Sequence, residues 1–80
     1  MEFDALVKVI EEVLNVDPSE VTMETTFVDD LGADSLDIFQ IIMGVQEALD
    51  IEDTDEFDAQ METVVTVGDA VEILKQAKQG

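Results

Sequence analysis

The sequence predicts an all-α protein, a small bundle of three longer helices plus one short helix. Apolar residues recur at three- and four-residue steps in three separate stretches, the spacing of helices that bury one face. No stretch of comparable length alternates at period two, and there is no internal repeat. The third observation is length. Eighty residues make one domain, spanning 1–80, and a chain this short hides only about 60% of its unfolded surface, so its core is thin.

The first helix is set by Phe3, Leu6, Val7, Ile10, Val13 and Leu14, with acids on the opposite face. It stops near Asn15, because Asp17-Pro18 follows and the residue before a proline avoids helical angles. Pro18 opens a short turn through Val21, with Asp17 as its cap and Glu20 three residues on. From Thr22 to Asp34 no period is sustained. A loop of that length in a small domain is functional or well packed. Phe27, Val28 and Leu31 are the apolar pegs expected to pin it across the bundle.

The second helix runs from about Ser35 to Leu49. Asp34 is a good N-cap, and Asp37 suits the positive helix start. The apolar side is wide: Leu36, Ile38, Phe39, Ile41, Ile42, Met43, Val45 and Leu49. Ile38, Ile42, Val45 and Leu49 form one stripe, and Leu36 and Met43 do not fit behind it. Apolar surface is therefore expected to face outward near Ser35; the alternative is that the long loop covers it. Residues 50–62 are an acid-rich connector, seven acids in thirteen residues. Phe57 and Met61, four apart, predict a short helix from about Glu56. In the last helix Thr66-Val67-Gly68-Asp69 matches a capping box with Asp in place of Glu. Val67, Ala70, Val71, Leu74 and Ala77 give its buried stripe, and Lys75 and Lys78 suit the negative end of its dipole.

Composition excludes several functions. The formal charge is −18, from 21 acids against three lysines. Nucleic acid and anionic membrane surfaces need a basic stripe, so neither is a partner; basic patches on other proteins are. With no cysteine, disulfides and thiolate metal sites are absent. Calcium loops require Gly at the sixth position and Glu at the twelfth. Counting from Asp50 gives Asp55 and Met61, and counting from Asp53 gives Asp58 and Val64, so no metal site is expected. Met1-Glu2-Phe3-Asp4 lacks the basic start of a signal peptide. No apolar run approaches spanning length, and a cytoplasmic monomer is the expectation.

Ser35 is the residue with chemistry to explain. A nucleophilic serine needs an adjacent base, yet the chain has no histidine, and its lysines stand at 8, 75 and 78. An enzyme is not expected. Two readings of Ser35 stay open on the residues alone. One is an ordinary helix cap. The other is a marked, accessible hydroxyl that a basic modifying enzyme recognises through Asp34, Leu36 and Asp37.

The run from Thr25 to Asp37, TTFVDDLGADSLD, closely resembles the signature of acyl carrier proteins. The resemblance covers most of the chain and extends to its length, acidity, helix order and long first loop. It implies that Ser35 carries 4′-phosphopantetheine, transferred from coenzyme A by a holo-acyl-carrier-protein synthase that uses magnesium. Acyl chains would then ride on the arm as thioesters and slip between helices, with Ile38, Ile42, Val45 and Val71 as the lining. The second helix would be the recognition helix for synthesis enzymes with basic docking patches, with Asp34, Leu36, Asp37, Met43 and Glu47 as contacts. The expected pathway is fatty acid biosynthesis; a polyketide or other specialised acyl pathway is the alternative. A different class, an acidic helical interaction module, stands beside them. The chain departs from the common pattern at Gln40 and Gln46, where Glu is usual, and at Gly44, where Ala is usual. Its segment 50–65 is about three residues longer and lacks the Ile-Pro that often precedes the third helix.

Overall fold

Four α-helices form where the apolar period placed them. The structure, a computed structural model, describes residues 2–79, with side chains through residue 77. Its helices are α1 (Glu2–Leu14), α2 (Ser35–Leu49), α3 (Asp55–Glu62) and α4 (Val67–Gln79), with a 3₁₀ turn at Pro18–Glu20. Helix α1 packs on α2 and α4, and α3 packs on α4 and α2. Leu6, Ile10, Ile41, Val45, Met61, Val67, Val71 and Leu74 are fully buried between them. Burying such side chains supplies the main drive to fold, about 1.5–3 kcal/mol for each large one. Among the described residues no helix is long and apolar enough to cross a membrane.

The helix ends are closed by local chemistry. Asn15 takes a left-handed conformation, φ 56°, one that Asn tolerates better than most residues, and its N–H donates to the Glu11 carbonyl at 2.8 Å. Asp17 caps the 3₁₀ turn through Ser19, whose N–H and hydroxyl both donate to its Oδ1. Thr54 caps α3, accepting from the Phe57 N–H. The expected capping box of α4 is present: Asp69 N–H donates to Thr66 Oγ1 and Thr66 N–H to Asp69 Oδ2. Lys75 is exposed in the last turns, while the Lys78 side chain lies outside the described residues.

The structure corrects two readings. Val28 is no peg: it is 61% exposed, whereas Phe27 is buried and Leu31 half-buried. The inner face of α2 is Ile41, Ile42 and Val45, with Ile38 and Leu49 only half-buried. Helix α2 is apolar on most sides, so the period alone could not fix which line of residues faces the core. The expected N-cap of α2 is present. Asp34 fills that position and Ser35 is the first helical residue.

Candidate functional site

The loop before α2 is a folded strap. Thr26 and Asp30 bind each other reciprocally, Thr26 N–H to Asp30 Oδ2 at 2.8 Å and Asp30 N–H to Thr26 Oγ1 at 3.0 Å. Ala33 N–H returns to the Phe27 carbonyl and Gly32 N–H to the Val28 carbonyl. Gly32 sits at φ 68°, left-handed backbone where a side chain is strained; the turn drops Ala33 into the core and brings Asp34 to the start of α2. The strap is tied to the far end of the chain. Thr26 pairs antiparallel with Thr66, with Phe27 N–H donating to the Val65 carbonyl and Val67 N–H to the Thr25 carbonyl. Thr25, buried, completes its bonding through its hydroxyl, which accepts from the Thr22 N–H.

The strap delivers the chain to a reciprocal cap. Asp37 N–H donates to Asp34 Oδ1 at 2.9 Å, and Asp34 N–H to Asp37 Oδ2 at 3.2 Å. These two carboxylates do the capping, so the Ser35 hydroxyl stands exposed beside them without that duty. Leu36, Phe39 and Met43 follow at helical spacing and are 62%, 55% and 52% exposed, with Glu47 exposed one turn further. The outward apolar surface expected near Ser35 is therefore present, and the strap leaves it bare. Phe39 belongs to that surface, and its spacing from Leu36 and Met43 was a signal for it.

Beside Ser35 lies an open cavity of about 190 Å³, lined by Ser35, Ile38, Phe39, Ile42 and Glu62. Of the four expected lining residues, Ile38 and Ile42 reach it. Val45 and Val71 sit deeper, fully buried in the core. Glu62 comes from α3, and nothing in the sequence marked it for this place. A groove of about 330 Å³ shares Phe39 and Ile42 with that cavity and is lined further by Met43, Gln46, Ile51, Asp53 and Asp58.

Three acids of the chain depart from the ordinary carboxylate range. Partial burial raises the Asp58 carboxyl above its ordinary range; a hydrogen bond shared with Asp53 and repulsion from Asp53, Asp55 and Glu62 add to it. Asp69 is lowered, first by the Thr66 and then the Val65 backbone N–H groups it accepts from. Asp17 is lowered by the Ser19 backbone N–H and hydroxyl. Among the described residues no three acids group closely enough to hold a metal ion.

The described residues thus form a four-helix bundle with an exposed serine, free of capping duty, at the start of α2 beside apolar surface. The profile of the family described as "Phosphopantetheine attachment site" matches residues 4–74. The chain is 51% identical over 74 residues to an acyl carrier protein of Clostridium perfringens, covering 92% of this chain and 93% of that one. It is 47% identical over 76 residues to that of Helicobacter pylori, covering 95% and 94%. A solved chain from Mycobacterium tuberculosis, described as a candidate acyl carrier protein, superposes with a TM-score of 0.81 at 29% identity, covering 95% and 97%. The chain belongs to the acyl carrier protein family. It is a non-catalytic carrier of acyl groups whose prosthetic group is 4′-phosphopantetheine.

Proposed function

We propose that Ser35 is the attachment residue and that the chain carries growing acyl chains for fatty acid biosynthesis in the cytoplasm. The observation that carries this is the division of labour at the start of α2: Asp34 and Asp37 cap the helix, and the Ser35 hydroxyl is exposed between them. The group fits here. A phosphodiester needs an exposed hydroxyl with free space around it, and the positive end of a fifteen-residue helix favours a phosphate. The two nearby carboxylates oppose that charge, which accords with a magnesium-dependent transfer.

In the loading step the Ser35 oxygen attacks the phosphorus of coenzyme A that bears the pantetheine. The new P–O bond forms as the pyrophosphate bond breaks. The adenosine bisphosphate half leaves with the electron pair, and the serine proton passes to a base on the transferring enzyme. The bound arm supplies the thiol that this chain, without cysteine, lacks.

Recognition is assigned to Asp34, Leu36, Asp37, Met43 and Glu47. Charge-complementary contact with a basic patch steers the encounter, and Leu36 and Met43 give the apolar anchors. Phe39 joins them on the same exposed face. Ile38 and Ile42 are the lining that an acyl chain meets first.

The test is incubation with a holo-acyl-carrier-protein synthase, coenzyme A and magnesium, read by intact mass. Wild type gains one phosphopantetheinyl group and Ser35→Ala gains none. An unmodified wild type overturns the assignment in favour of an acidic interaction module. Loading by fatty-acid but not polyketide acyltransferases supports the pathway; the reverse preference moves it to specialised metabolism.

A further inference from the structure

We propose that Met61 is the movable plug that sets how far an acyl chain can enter the bundle from Ser35. This inference rests on the Ser35 assignment. Ile38 and Ile42 line the cavity beside Ser35. The same two residues also line a second crevice, whose remaining lining, Phe27, Ile41, Met61 and Val64, is apolar and mostly buried in the core. That crevice holds about 10 Å³, roughly the space of one water probe. An acyl chain passing from the outer cavity inward must therefore move a side chain.

The lining residues differ in how readily they move. Ile38, Ile41, Ile42 and Val64 are β-branched and stiff at χ1. Phe27 is held by its place in the strap, where its N–H and carbonyl are both bonded. Met61 is unbranched, with three rotatable bonds and a polarizable sulfur that adapts to irregular gaps. It is 1% exposed, so its side chain lies wholly within the packed interior. It also sits on the shortest of the four α-helices. Helix α3 has eight residues, four of them acids, and one of these, Asp58, is repelled by Asp53, Asp55 and Glu62. Chains short enough for the outer cavity leave Met61 in place. Longer chains enter by turning it aside.

The experiment loads Ser35 from acyl-coenzyme A thioesters of two to twelve carbons with a promiscuous phosphopantetheinyl transferase, checked by intact mass. Melting temperature and the rate of thioester cleavage by hydroxylamine are then followed against chain length. In wild type, protection grows with length and reaches a plateau. Met61→Ala moves the plateau to longer chains. Met61→Ile, of similar size but β-branched, moves it to shorter ones and keeps the test alive if the alanine variant does not fold. A plateau at one length in every variant that folds overturns the proposal. Failure of wild type to load at Ser35 is a separate result, which overturns the attachment assignment. In that case Ser35→Cys supplies the chain's single thiol, alkylated through a spacer with the same series. Displacement of the melting plateau by the Met61 variants again supports the plug, and an unmoved plateau again overturns it.

Discussion

Asp58 and Asp69 are carboxylates near helix starts, and the fold moves their proton affinities in opposite directions. Asp58 is raised, so the folded state holds its proton more tightly than the unfolded chain does. Its favourable contribution is complete below the ordinary carboxylate range and is lost as pH rises through the raised value. Asp58→Asn is therefore expected to raise the melting temperature at pH 7, with the gain vanishing below about pH 4. A gain of the same size at both pH values would refute the account. Asp69 is lowered by two backbone N–H groups, so its contribution is present above the ordinary range and fades as pH falls through the lowered value. Asp69→Ala should lower the melting temperature at pH 7 and matter progressively less in acid. Gln46 is the third informative residue. Its carbonyl accepts from the Asp50 and Ile51 N–H groups at the end of α2, and its side-chain amide donates to Asp53 Oδ1 at 3.3 Å. A glutamate there would lose the donor and face Asp53. Gln46→Glu is expected to cost about 0.5 kcal/mol in denaturant melts, more at low salt than at high.

Gly44 shows how the packing of elements can reverse a preference of the chain. In the middle of α2 a glycine costs about 1 kcal/mol relative to alanine, so Gly44→Ala looks stabilising from the sequence. A Cβ at Gly44, however, would lie 2.7 Å from Val9 Cγ1, on a stiff, buried side chain of α1. Overpacking of this kind costs about 1–3 kcal/mol. The expected net effect is a loss of about 1 kcal/mol, and Gly44→Ala combined with Val9→Ala should cost less than the two alone summed. A Gly44→Ala variant more stable than wild type would show that α1 yields at no cost. The four helices, two of their caps and the exposed Leu36–Met43 surface were legible in the sequence, because period and capping chemistry are local. The rest was set at a distance. Val28 faces solvent because Thr26 and Asp30 lock each other and turn only Phe27 inward. The pairing of Thr26 with Thr66 joins residues forty apart in the chain, and two isolated threonines carry no strand signal. The place of Glu62 beside Ser35 depends on how α3 packs on α2.

At the scale of the whole molecule, charge sets how conditions act on the fold. The chain carries a net −18 within about 30 × 24 × 19 Å. The Debye length is about 30 Å at 0.01 M salt, so at that ionic strength acids across the whole molecule repel one another. It falls to about 10 Å at 0.1 M, which leaves only neighbours such as Asp53, Asp55 and Asp58 in contact through the solvent. Most of the salt-dependent rise in melting temperature should therefore fall between about 0.01 M and 0.1 M. What remains is local repulsion, which monovalent salt screens poorly. Magnesium at matched ionic strength should raise the melting temperature further by accumulating along residues 50–58, where the acids are densest. Asp58→Asn, which removes one charge from that segment, should shrink the magnesium increment while leaving the rise between 0.01 M and 0.1 M nearly intact. A melting curve indifferent to salt would disprove long-range repulsion. A magnesium increment unchanged in Asp58→Asn would place the divalent effect elsewhere on the surface.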